Sequence, residues 1–185
     1  MHVNKAWDTA GPRQLMDNGV NHIHLLIGEC IVSGHDLLIS TVLGSCVSAT
    51  FHHPATRLSA MFHAMLPTGD MDSRQVLACK YVDGAVKRIA DKYTARRIDL
   101  SKVQVKLFGG GFTVSRREKE VLRDIVDVGG MNVEQARREL IRHGFTILRE
   151  DVLGLKGRKL YFHTASGAAW MKLLPGGQAF SNLVS

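Results

Sequence analysis

The chain reads as an α+β protein with a largely antiparallel β-sheet. Three observations carry that reading. Short strand-like runs cluster toward both ends, two amphipathic helical patterns lie between them, and the two kinds of element do not alternate one for one as a doubly wound parallel fold requires. A length of 185 residues fits one compact domain and leaves little room for a second. With 45% apolar and 22% charged residues, the composition is globular and excludes a chain too polar to fold.

The elements follow in order. Residues 1–20 show no periodicity and include Gly11, Pro12, Asn18 and Gly19, which predicts a flexible N-terminal extension ahead of a domain over 21–185. Ile23, Leu25 and Ile27 alternate with His22, His24 and Leu26; beyond Gly28 and Gly34, Leu37 to Val42 forms a second apolar run, and both predict short strands. Val47, Ala49 and Phe51 alternate with Ser48 and Thr50, the chain turns at His52, His53 and Pro54, and Leu58 to Leu66 returns, which predicts a buried hairpin. Ala78, Val82, Ala85, Val86, Ile89 and Tyr93 recur at steps of three and four, predicting a helix that starts after Ser73 and covers the sheet. Val103 to Phe108 has strand character and runs into Gly109, Gly110 and Gly111, a sharp turn. Asn132 with Gln135 three residues on predicts a helix start, Val133, Ala136, Leu140 and Ile141 keep helical spacing, and Gly144 stands at the stop. Phe145–Leu148, Lys159–Phe162 and Ala169–Leu173 close the fold as strands.

Composition also narrows the function. The apolar run Leu37 to Phe51 is 15 residues long and broken by Ser and Thr, short of the roughly 18 to 20 apolar residues of a membrane span. The N-terminus has no apolar stretch behind its first basic residue, so no secretory signal is read and a cytoplasmic location is expected. Cys30, Cys46 and Cys79 are too few and too unevenly spaced for a disulfide framework, so reduced thiols are expected. The net charge of +7 lies entirely beyond residue 92, which favours an anionic partner without choosing one. Aromatic residues are only 6%, and the Arg116 to Glu120 run mixes signs, so no nucleic-acid surface is expected. His22, His24, His35, His52 and His53 lack a companion ligand pattern, and Gly109–Gly111 lacks a following Gly-Lys-Ser/Thr; neither a metal nor a phosphate-bearing cofactor is read.

Chemistry concentrates in Ser40-Thr41-Val42-Leu43-Gly44-Ser45-Cys46, a strand tail and tight turn that presents a cysteine, with His63 on the returning arm of the hairpin 17 residues away. A thiol is mostly protonated at neutral pH, and an imidazole beside it can take the proton and make a nucleophile. Small residues at Gly44 and Ser45 leave room for backbone N–H groups to meet an oxyanion. Ser40 or Thr41 could orient the imidazole.

These residues resemble the signature of the CheD family, the chemoreceptor glutamine deamidases of bacterial chemotaxis. The likeness runs through Gly44-Ser45-Cys46-Val47, then His63-Ala64-Met65-Leu66-Pro67, then Lys106-Leu107-Phe108-Gly109-Gly110. It continues with Val128-Gly129, Asn132 and Val133, and with Gly157-Arg158, Phe162 and Gly167. The resemblance implies a single-domain sandwich that hydrolyses glutamine side-chain amides on receptor cytoplasmic helices, without metal or organic cofactor. It implies Cys46 as nucleophile and His63 as general base and then acid. The third polar role falls at the position of Ser40, with Thr41 next to it.

Chemoreceptor cytoplasmic domains are the implied partners, together with a CheC-like phosphatase; an adaptor that binds either of these with catalysis secondary is the alternative. A general cysteine amidase is a third reading. The chain departs from the family pattern at Leu153, where a glycine is common, and at Met131, where an arginine is frequent.

Overall fold

The computed structural model describes residues 11–69, 78–111 and 127–175. One sheet holds β1 (Asn21–His24), β3 (Leu37–Leu43), β8 (Arg158–His163) and β9 (Ala169–Leu173) in the order β1-β3-β8-β9. The other holds β2 (Cys30–Ser33), β4 (Val47–His53), β5 (Leu58–Phe62), β6 (Gln104–Gly109) and β7 (Thr146–Val152) in the order β2-β5-β4-β6-β7. Only β1–β3 and β6–β7 pair in parallel, so the sheets are mostly antiparallel and the predicted α+β class holds.

Alternation along the hairpin explains the layers. Val47, Ala49 and Phe51 of β4, with Leu58, Ala60 and Phe62 of β5, face two helices, α2 (Val82–Thr94) and α3 (Val128–Arg142), and form the larger core with Val86, Ile89, Tyr93, Val133 and Leu140. The opposite side of the same sheet sends Met61 and Phe108 toward Ile39, Leu43, Leu160 and Phe162 of the four-stranded sheet, and Cys46 belongs to this second cluster. Every residue of β4 and β5 is buried, because each strand has a covered face on both sides.

The structure differs from the sequence reading in several places. A short helix, α1 (Pro12–Asp17), buries Leu15, although the sequence there has too few residues to show a period. Strand β2 was not expected either: four residues between two glycines give no alternation to read. Helix α2 begins at Val82, because Cys79 and Tyr81 are engaged in bridges to Gly28 and Leu66 and Tyr81 is extended. The predicted start after Ser73 lies outside the described residues, as does the Arg116 to Glu120 run. Helix α3 starts four residues before Asn132, capped by Asp127, whose side chain accepts from the Gly130 N–H at 2.9 Å. Asn132 is therefore interior to the helix and fully buried.

Cys30 and Cys79 form a disulfide with their Cα atoms 6.0 Å apart, against the expectation of reduced thiols. A separation of 49 residues gave no signal; the contact exists because Cys79 bridges to Gly28, two residues before Cys30. Among the described residues no helix is long and apolar enough to cross a membrane, and no group of three or more His, Cys, Asp or Glu side chains is placed to hold a metal.

Candidate active site

The turn that carries Cys46 is fixed through its carbonyls. The Gly44 oxygen accepts from the Gly111 N–H at 2.7 Å, the Ser45 oxygen from Asn132 Nδ2 at 3.0 Å, and the Cys46 oxygen from the Gly110 N–H at 2.8 Å. In a trans peptide the N–H points opposite to the carbonyl of the preceding residue. With the Gly44 and Ser45 carbonyls held toward Gly111 and Asn132, the N–H groups of Ser45 and Cys46 face the other way.

The glycine run makes this approach possible. Gly109 and Gly110 adopt φ of 109° and 64°, and a Cβ on either would overlap the Cys46 carbonyl oxygen or the Val133 side chain respectively. The turn expected from the three glycines is thus the support of the cysteine loop.

The ladder places His63. Val47 pairs with Ala64, exchanging hydrogen bonds of 2.9 Å in both directions, so Cys46 and His63 are diagonal neighbours on the intersheet side. Cys46 is 9% exposed and His63 3%. No hydrogen bond joins the two side chains here; the His63 Nε2 atom is buried and has no hydrogen-bond partner among the described residues.

Thr41, not Ser40, meets the imidazole. Thr41 Oγ1 donates to the Leu25 carbonyl at 2.8 Å and lies 2.8 Å from His63 Nδ1. The hydroxyl has one hydrogen, and Leu25 takes it, so Thr41 accepts from Nδ1–H. This fixes the neutral ring as the Nδ1–H tautomer and leaves the Nε2 lone pair open. Ser40 points to the other face of β3, where its hydroxyl lies 2.8 Å from His22 Nε2 and 3.2 Å from His24 Nδ1. Adjacent residues of a strand project to opposite faces, so only one of the two hydroxyls can enter the site.

Burial sets the protonation states. It holds the His63 imidazole down to about 4 from an ordinary 6.5, helped by the charge of His24 and opposed by the Leu25 carbonyl and Glu29. Burial also pushes the Cys46 thiol up, with its own backbone N–H pulling in the opposite direction. The resting pair is therefore neutral thiol and neutral imidazole.

Sequence reasoning missed Asn132 as part of the site. Its two Nδ2 hydrogens go to the Ser45 oxygen at 3.0 Å and the Met65 oxygen at 2.9 Å, tying the cysteine turn to the segment after His63. The signal available was an Asn early in a helix, and the capping reading absorbed it. Arg158, also matched by motif alone, is a buried buttress: it donates to Asp151 Oδ1 at 2.6 Å and to the Lys156 and Leu153 carbonyls at 3.2 and 2.7 Å. Leu153 takes φ of 64° there and donates to the Gly109 oxygen at 2.8 Å, which explains why its place suits glycine.

Comparison with known proteins adds a family. Residues 65–173 match the family model described as CheD chemotactic sensory transduction. The chain is 50% identical over 165 residues to the "Probable chemoreceptor glutamine deamidase CheD" of Nitratidesulfovibrio vulgaris, covering 88% of this chain and 82% of that one. It is 46% identical over 164 residues to the protein of the same name from Oleidesulfovibrio alaskensis, covering 88% and 77%. Among solved structures it is similar to the Bacillus licheniformis hypothetical protein YfiH, with a TM-score of 0.45 and 13% identity over 68% of this chain and 51% of that one.

Proposed function

The chain belongs to the CheD family, and on that premise we propose that it is a chemoreceptor glutamine deamidase in which Cys46 is the nucleophile and His63 the proton carrier. The observation that carries this reading is the tautomer lock on His63: Nδ1–H is held by Thr41, and the open Nε2 lone pair lies on the same side of the ladder as the Cys46 side chain.

As the sulfur attacks the glutamine carboxamide carbon, its proton passes to His63 Nε2. Because both groups rest neutral, ionisation accompanies attack and does not precede it. The tetrahedral oxyanion is held by the Ser45 and Cys46 amides, which Gly111 and Asn132 aim through the Gly44 and Ser45 carbonyls. Imidazolium then returns the proton to the amide nitrogen and ammonia leaves. Water attacks the thioester with Nε2 as base, releasing glutamate and restoring the thiol.

Burial supports a side-chain amide as substrate. Cys46 is buried, with 9% of the residue exposed, and a glutamine side chain, which carries its carboxamide out on two methylenes, suits such a site better than a main-chain carbonyl. Receptor cytoplasmic fragments incubated with the protein should gain about one dalton per converted glutamine, and Cys46→Ala should abolish the gain through loss of the thioester route. An unchanged rate in Cys46→Ala would overturn the assignment, and retained receptor binding without any conversion by the wild type would favour the adaptor reading.

A further inference from the structure

The segment that carries His63 is stitched from two sides. On one side the Gly28 N–H donates to the His63 oxygen at 2.8 Å, the His63 N–H donates to the Glu29 oxygen at 3.0 Å, and Cys30 pairs with Phe62. On the other, the Lys80 oxygen accepts from the Met65 and Leu66 N–H groups at 2.9 and 3.2 Å, and Val82 N–H donates to Leu66 at 2.9 Å. The Cys30–Cys79 disulfide joins these two sets of contacts, closing a covalent loop around the strand of the base. The bond also borders a cleft. Both cysteines line a cleft of about 500 Å³ together with His24, Glu29 and Arg88, and Cys30 is half-buried where Cys79 is buried.

We infer that Cys30 and Cys79 are a reversible redox site, exchanged by a small monothiol entering this cleft, whose oxidised form braces His63. The effect on rate rests on the deamidase reading; the site itself does not. The thiolate of the monothiol attacks the Cys30 sulfur, the S–S electron pair departs on Cys79, and that thiolate takes a proton. A second monothiol attacks the mixed disulfide, releases Cys30 as its thiol and leaves as the oxidised dimer of the monothiol. Two external thiols are oxidised as one protein disulfide is reduced.

The test uses the full chain, glutathione as probe, and three readouts. Alkylation after denaturation without reductant should modify one cysteine, Cys46, and after equilibration with reduced glutathione all three. Reduction should raise amide hydrogen exchange at His63 and Met65 by about tenfold or more, because their acceptors belong to the braced segments. Deamidation by the reduced protein should fall several-fold, and a Cys30→Ser, Cys79→Ser double variant should show the slow rate whatever the glutathione ratio.

Three modified cysteines after equilibration with oxidised glutathione, or one after prolonged treatment with reduced glutathione, would overturn the exchangeable site. Unchanged exchange and rate across a change from one to three modified cysteines would overturn the brace. Absence of deamidation in both redox states, with the labelling and exchange responses intact, would count against the deamidase reading and leave the redox site standing.

Discussion

Lowering the pH separates a base kept neutral by burial from an ordinary histidine. His63 is held down to about 4, first by burial and then by the charge of His24, against the Leu25 carbonyl and Glu29. If His63 must be neutral to accept the Cys46 proton, the acid limb of kcat/KM reports its ionisation in the free enzyme. The limb should then fall near 4. At about pH 5.5 an imidazole of ordinary pKa would be roughly one-tenth neutral, whereas His63 would be almost wholly neutral, a difference of about tenfold in rate.

Initial rates of ammonia release from a receptor fragment, measured at constant ionic strength, decide between the two. A midpoint at or near 6.5 would refute the buried-base argument. The same shift has a stability side with a definite sign. His63 binds its proton more readily unfolded than folded, so stability is full above about 6.5 and drains away as the pH falls toward about 4, by about 3 kcal/mol. Urea unfolding of Cys46→Ala across that window should show this slope, His63→Gln should flatten it, and the same curves identify the pH below which rate loss reflects unfolding.

Thr41→Val should reduce kcat by at least about tenfold with little change in KM, since the buried Nδ1–H loses its acceptor at a cost of about 1–3 kcal/mol and the tautomer is released. Ser40→Ala, on the opposite face, should leave kcat within about twofold, as a residue clear of the imidazole must. Asn132→Ala leaves the Ser45 and Met65 oxygens without their donor and should lower stability by about 2 kcal/mol and kcat by more than KM changes; parallel rate and stability in Asn132→Ala and wild type would refute its positioning role. Leu153→Gly should raise urea stability by about 0.5–1 kcal/mol, because a 38%-exposed leucine held at φ of 64° gives up little packing and relieves a left-handed backbone; a loss of stability would show that the side chain matters more than the strain.

The strands legible in the sequence were those with a covered face and enough length to alternate. In β4, Val47, Ala49 and Phe51 face the helices while Ser48 and Thr50 face the other sheet, so the period of two survives full burial. In β2 and α1 the residues show no period, and neighbours complete both elements: β2 pairs with β5, and α1 buries Leu15. The helix over 82–94 was legible along its apolar face, but its start was not, since tertiary bridges at Cys79 and Tyr81 decide where the backbone is free to coil.

The candidate site divides along the same line. Cys46 and His63 flank one hairpin, a local object whose turn and alternation can be read, but spacing alone leaves the pair undecided and the family resemblance assigns their roles. The choice between Ser40 and Thr41 follows from which face of β3 meets the other sheet, and both residues are polar hydroxyls, so residue type alone leaves the parity open. What ties the cysteine turn to the segment after His63 is more distant still: Asn132 lies 87 residues from Ser45 and 67 from Met65 along the chain. Its contribution is to turn carbonyls, and a carbonyl acceptor has no residue signature. The orientation of the Ser45 and Cys46 amides is thus set by what grips the back of the turn, through Gly111 and Asn132, more than by the identities of Gly44 and Ser45. The register of two sheets and the approach of one helix supply the reason that these residues stand where they do.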